Sequence, residues 1–401
     1  MDGEYAARRA FDWIRAQAVE ADGGKAWCEG NEPVDYLYKG TAGVLLAAAE
    51  ATLAGLDVGD LADAAQGRLV HLAHHGRMSN DGLFTGWAGV ASALQAWAGV
   101  SGDQASLEAA DDVRVQIAGR ILNDEPDPGR YTDIIFGDAG TLLTLLESAD
   151  EAVTVAANVL ADRLAASAES TADGLQWRAV AGRERLTPNF SHGTAGVAYA
   201  LGMAGRVGDR PELIDVAVDG ARTILTLGDH PTGWAVPVLI PPRPERQSVA
   251  FGWCHGPTGT IRLFLLLNEI APHPQWQYAI DACLQAIEDS RLPERLYPGY
   301  WDNVARCCGT AGVGQLLLNR HEATGDERYL TWCDRLAADV LDRALTTPDG
   351  VTWSNFEHTA TPPDLPPEPG FMQGSVGVAS WLARLDAAHQ GRIVPPLVPW
   401  V

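Results

Sequence analysis

Two apolar patterns alternate along the chain. In the first, segments such as Val44-Leu45-Leu46-Ala47-Ala48 and residues 261–267 are hydrophobic nearly all round, as in a helix buried on every side. In the second, charge keeps to one helical face. Glu327, Arg328, Asp334, Arg335 and Asp339 interleave with Leu330, Trp332, Leu336 and Val340, so one stripe faces a core and the other water. Segments of this second kind fall at 60–75, 104–122, 150–168, 211–227, 275–289 and 325–345, with a seventh at 4–19.

Each buried segment opens on a Gly-x-x-Gly step. Seven copies occur: Gly40-Thr-Ala-Gly43, Gly86-Trp-Ala-Gly89, Gly137-Asp-Ala-Gly140, Gly193-Thr-Ala-Gly196, Gly256-Pro-Thr-Gly259, Gly309-Thr-Ala-Gly312 and Gly374-Ser-Val-Gly377. Seven such steps, roughly 56 residues apart, define an internal repeat. Seven buried and seven amphipathic helices balance when the N-terminal helix closes the ring. This predicts an all-α fold, an (α/α)7 toroid of seven inner and seven outer helices, in one domain over residues 1–401. At the inner-helix N-termini a missing Cβ lets backbones crowd near the axis. Pro-rich inserts at 228–250 and 346–370 read as loops bordering a cleft.

Composition narrows the partners. Lys plus Arg number 29 against 52 Asp plus Glu, a net charge of −23 in 401 residues. That excess repels phosphate backbones and anionic lipid, so nucleic acid and membrane surfaces are poor partners and no membrane insertion is expected; a cationic peptide or neutral small molecule suits it, though acidity is also simply a solubility device. No apolar run reaches the ~18 residues of a membrane span. Met1-Asp2-Gly3-Glu4 lacks the basic start and apolar stretch of a secretory signal, so a cytoplasmic protein is expected. Six cysteines are too few for a disulfide scaffold in a chain this long. Cys28, Cys283 and Cys333 read as buried core thiols.

The other three cysteines fall into register with the repeat. Two positions before the first glycine stand Cys254 in the fifth copy and Cys307 in the sixth. One position before it stand His192, His255 and Cys308 in the fourth, fifth and sixth, and Asp133 lies four before it in the third. Equivalent positions of a closed toroid share one pole, so these six side chains pool at one mouth. Lys39, Thr85 and Gln373 occupy the corresponding place elsewhere, so sulfur and imidazole are not generic there. Three thiols beside imidazoles ask for a borderline-soft metal, with Zn2+ the default, one per chain. Cys254, Cys307 and Cys308 would supply three ligands and leave a fourth position open; the competing reading is a set of buried free thiols.

Phe190-Ser-His-Gly-Thr-Ala-Gly196, Gly252-Trp-Cys-His-Gly256 and Cys307-Cys-Gly-Thr-Ala-Gly312 resemble the lanthionine synthetase C-like family, the lanthipeptide cyclases, over essentially the whole chain. The resemblance implies a seven-repeat toroid with zinc at its mouth and addition of a peptide cysteine thiol to dehydroalanine or dehydrobutyrine, forming a thioether ring. It makes Cys254 and Cys307 the first two zinc ligands, His192 the family's essential histidine and Asp133 its third-repeat aspartate. Many members carry Cys-His-Gly where this chain has Cys307-Cys308-Gly309, so Cys308 would replace an imidazole with a thiolate. An arginine the family places shortly before the first ligand is not matched, since Ala250-Phe251-Gly252 occupy that stretch; Arg243 and Arg246 lie farther upstream and neither is assigned.

For that reaction His192 is the first choice as proton acid or thiol base. Asp133 would orient it or take the thiol proton, and His255 would sit beside the metal site. The implied partners are a dehydrated precursor peptide and a dehydratase, which is either a separate chain or a portion outside this sequence, since no kinase or lyase region for dehydration is seen. Three rival readings stay open. The same zinc site could add glutathione to dehydrated residues, or the chain could be a zinc-stabilised peptide-binding scaffold without catalysis. A glycosidase on a related α/α toroid would need a carboxylate pair in aromatic surroundings, and would leave the thiols unexplained.

Overall fold

A computed structural model describes residues 2–77, 79–123, 130–228, 233–243, 248–294, 303–356 and 364–401. Fourteen helices dominate the described residues. The order begins with α1 (Gly3–Ala16), strands β1 (Val19–Ala21), β2 (Gly24–Glu29) and β3 (Glu32–Val34), then α2 (Thr41–Leu53), α3 (Gly59–His75) and α4 (Trp87–Ser101). It continues with α5 (Gln104–Leu122), α6 (Asp138–Leu145), α7 (Glu151–Ala166), β4 (Glu169–Ser170), β5 (Leu175–Gln176), α8 (Thr194–Val207) and α9 (Pro211–Gly228). Next come α10 (Pro257–Ile270), α11 (Pro274–Asp289), α12 (Thr310–Thr324) and α13 (Glu327–Asp342). The chain ends with β6 (Leu345–Thr347), β7 (Gly350–Thr352), β8 (Asn355–Phe356), β9 (Asp364–Leu365) and α14 (Ser375–His389). Even-numbered helices open at the glycine steps; odd-numbered ones are the amphipathic segments.

The two helix types are started differently. Asp2, Asp150 and Asp326 cap α1, α7 and α13 by accepting a backbone N–H of the first turn. The inner helices begin at glycine with no side-chain cap. The reason is a close approach. A Cβ on Gly309 would lie 2.2 Å from the Asn303 carbonyl oxygen, and one on Gly312 2.0 Å from that of Arg306. Each glycine meets the carbonyl six residues before it, and most other steps repeat this spacing. The glycines therefore let the chain fold back on its own preceding turn, and several second glycines also admit a side chain of the neighbouring repeat, as Gly140 does Leu83 and Gly259 does Phe190.

Two compact units make up the chain: Met1–Arg77 with Gly89–Asp112 and Arg291–Val401, and Met78–Ala88 with Val113–Ser290. In the first, α14 packs against α1, α2 and α12, so the first and last helices are neighbours. In the second, α8 packs against α6 and α10, and each is backed by the helix that follows it.

Short hairpins follow three outer helices, where no strands were expected; 346–370, read as loop, carries β6–β9. Ladders of two or three residues are too short to show the alternation that marks a strand. They share one device. Trp27, Trp177 and Trp353 are buried, and each indole N–H donates at 2.8 Å to the carbonyl 13 residues earlier, on Ile14, Leu164 and Val340 near the end of the preceding outer helix. Each hairpin thus ties back to the last turn of its helix by a bond to one of the carbonyls there. Cys283 and Cys333 are buried in α11 and α13 as expected, but Cys28 is only half-buried. Ala26 and Trp27 are both buried in β2, and Cys28 lies one residue past them toward the exposed turn at Glu29.

Candidate active site

The turn before each inner helix is closed by backbone bonds. Asp138 N–H donates to the Tyr131 carbonyl at 3.0 Å, Ala195 to Pro188 at 2.9 Å and Ala311 to Val304 at 3.0 Å. These loops hold the residues singled out by the repeat register. Residues two before the first glycine also bond from one repeat to the next: Phe84 to Ile135, Ser191 to Cys254, Cys307 to Met372 and Met372 to Tyr38. Equivalent positions are therefore physical neighbours within each unit.

In the second unit this brings Asp133, His192 and His255 together. Asp133 is fully buried. Its Oδ1 accepts the Phe136 backbone N–H at 2.7 Å, and its Oδ2 lies 2.8 Å from His192 Nδ1. An ionised carboxylate only accepts, so Nδ1 carries the hydrogen and neutral His192 keeps Nε2 as a base. Thr187 Oγ1 donates to the His192 carbonyl at 2.7 Å and fixes the backbone behind the ring. Phe136 stacks on the His192 ring at 5.8 Å, and the His255 ring centre is 5.5 Å from it. A cavity of about 280 Å³ opens on these rings; Tyr131, Arg183, Val238 and Leu239 complete most of its wall. Val238 and Leu239 come from the insert at 228–250. Arg243 does not line this cavity, and Arg246 lies outside the described residues.

Cys254 is nearly buried, and its carbonyl accepts from both the N–H and Oγ of Ser191, at 3.0 and 2.9 Å. The loop bearing His192 is thereby pinned to the one bearing the first thiol.

In the first unit, Cys307 and Cys308 present their sulfurs 3.4 Å apart, too far for a disulfide near ~2.05 Å; neither is disulfide-bonded. Gln373 Nε2 donates to Cys308 Sγ at 3.5 Å, and its Oε1 accepts from Asn303 Nδ2 at 3.0 Å. Such a donor suits an electron-rich sulfur. Sequence reasoning set Gln373 aside as off-pattern, although it holds the same register as His192, His255 and Cys308. Arg306, directly before Cys307, is buried. Its Nη2 is 2.5 Å from Glu50 and 2.8 Å from Ser380 Oγ, its Nε donates to the Gly377 carbonyl at 2.8 Å, and it lies 4.5 Å over the Phe371 ring.

Cys254 belongs to the second unit and Cys307 and Cys308 to the first, and each offers a sulfur donor. Three sulfurs without a hard oxygen ligand fit a borderline-soft ion such as Zn2+.

Comparison with known proteins gives a family and a fold. A model of the family described as lanthionine synthetase C-like protein matches residues 33–397. No curated protein matches in sequence. Among solved structures, nisin cyclase is similar with a TM-score of 0.64 at 17% identity, over 88% of this chain and 88% of that one. An alpha-1,6-mannanase from a Salegentibacter species is similar at 0.51 and 11% identity, over 97% of this chain and 99% of that one. At these identities the likeness shows the fold, the all-α α/α toroid class. No helix among the described residues is long and apolar enough to cross a membrane.

Proposed function

Because the chain belongs to the lanthionine synthetase C-like family, we propose that it is a zinc-dependent lanthipeptide cyclase acting on a dehydrated precursor peptide. The observation that carries this reading is the Asp133–His192 pair, 2.8 Å apart on the wall of a cavity, in a chain whose thiols suit zinc. Cys254, Cys307 and Cys308 would hold the ion, which would supply the substrate cysteine as a thiolate at neutral pH.

The remaining work falls to the chain's own side chains. His192 Nε2, facing away from Asp133, accepts the proton leaving the substrate thiol. The sulfur bonds to the β-carbon of the dehydro residue, and the π electrons move toward the α-carbon and its acyl oxygen. The same Nε2 returns the proton to the α-carbon, so the addition balances without oxidant or reductant. Asp133 fixes the tautomer that makes this possible, and His255 packs against the ring and holds its plane.

The whole chain, residues 1–401, is the proposed functional domain, since the family match runs through both compact units. A dehydrating activity, in our reading a separate dehydratase, must supply the substrate. A reducing cytoplasmic setting keeps the thiols available. A glycosidase is not favoured: Asp133 is the one acid among the described residues of the cavity wall, and it is engaged by His192.

The third sulfur sets the site's character. Three thiolates from Cys254, Cys307 and Cys308 would outweigh the two charges of the ion, and the chemistry it would supply is a more electron-rich, more nucleophilic substrate sulfur. Cys308→His is therefore expected to slow ring formation by about tenfold at unchanged zinc content; an equal or faster rate would refute this account of Cys308.

A dehydrated, cysteine-containing peptide incubated with zinc-loaded protein and glutathione tests the function. The cyclase reading expects unchanged peptide mass and loss of the alkylatable thiol. A glutathione adduct without rings would replace it with the intermolecular reading, and an untouched peptide would leave the scaffold.

A further inference from the structure

We propose that Arg183 receives the negative charge that develops on the acyl oxygen of the dehydro residue as the thiol adds; this rests on the cyclase reading above. Thiol addition pushes electrons onto that oxygen, in a cavity walled by the rings of Tyr131, Phe136, His192 and His255 and by Val238 and Leu239. A charge formed among such groups needs a preorganised donor. Asp133 has the wrong sign. Thr187 spends its hydroxyl hydrogen on the His192 carbonyl. His192 is committed to proton transfer. Arg183 is the one lining side chain that is cationic at every working pH.

Its placement is built. Gly182 takes a left-handed conformation, φ +76°, immediately before it, and the Arg183 N–H closes the turn on the Val180 carbonyl at 3.3 Å. Arg178 Nη1 donates to the carbonyls of Arg183 and Glu184 at 2.6 and 2.9 Å, while its Nε is held by Glu169 at 2.6 Å. Thr132 bonds back to this loop through its N–H to Ala179 and its Oγ1 to Arg178. Leu186 and Ile240 exchange two backbone bonds at 2.8 and 2.9 Å, tying the loop to the insert that brings Val238 and Leu239.

The guanidinium itself is not consumed by a carboxylate among the described residues. It lies 5.6 Å over the Tyr131 ring, with Nη2 3.3 Å from the Tyr131 hydroxyl. An arginine stacked on an aromatic face keeps its other N–H groups for a ligand. The sequence offers no cation shortly before Cys254, and Arg183 reaches the cavity from a different repeat.

Ring formation by Arg183→Gln and Arg183→Lys, with the peptide used above, tests the assignment. The Gln variant should lose about 10²-fold in kcat with KM changed by less than about threefold. Its zinc content and melting temperature should match the parent, and Lys should recover about tenfold of the loss. A Gln variant within about twofold of a ring-forming parent overturns the inference and leaves the cyclase reading standing. Equal losses in both variants also overturn it, because charge would not be what matters. A parent that forms no ring overturns both.

Discussion

Asp133→Asn is expected to lower the rate of ring formation by about 10²–10⁴-fold with zinc content unchanged. The two oxygens of Asp133 have different partners. One accepts the Phe136 N–H at 2.7 Å and the other faces His192 Nδ1 at 2.8 Å. In the variant only the amide oxygen can face the Phe136 N–H, so the NH2 group turns toward His192. A donor there forces Nδ1 to accept and moves the ring hydrogen to Nε2. Neutral His192 then has no lone pair to offer the substrate thiol, although its place is unchanged. Single-turnover rates from loss of alkylatable thiol check this; a variant within tenfold of the parent would remove Asp133 from the mechanism.

Glu50→Ala should destabilise the fold by about 3–5 kcal/mol. Arg306 is buried with its guanidinium against Glu50, and burial pulls its pKa down while Glu50 opposes that pull. Removing the carboxylate leaves a cation with no compensating charge at α2, α12 and α14. Replacing both partners, by Glu50→Ala with Arg306→Met, should recover much of the loss, since an apolar pair carries no desolvation cost. Urea unfolding of the three proteins measures this. A single variant within about 1 kcal/mol of the parent would mean that Ser380, Gly377 and Phe371 satisfy Arg306 on their own.

Much of this was legible in the sequence, for reasons that differ by element. Gln104–Leu122 coincides with the segment read at 104–122: Ala109, Ala110, Val113, Ile117, Ala118 and Ile121 recur at helical spacing on its buried side, although buried Arg114 and exposed Val115 weaken the stripe. The inner helices were readable from their glycines, because only glycine fits against the carbonyl six residues back. The same fold-back makes register equal to neighbourhood, which is why Asp133 and His192, 59 residues apart, could be paired by counting from their glycines. The hairpins were not legible, nor was the 13-residue spacing to Trp27, Trp177 and Trp353, because a two-residue ladder carries no periodic signal. Arg183 was missed because its position depends on a brace from Glu169 through Arg178 to two carbonyls. Gln373 stood in the right register, but an amide beside a thiol has no motif.

In our reading Cys254, Cys307 and Cys308 act together as the ligands of one zinc ion. Zinc per chain in the purified protein, measured beside Cys254→Ala, tests it most directly. The account predicts one equivalent in the parent and its loss in the folded variant. A folded parent without zinc, or a variant that keeps the full equivalent, would contradict it.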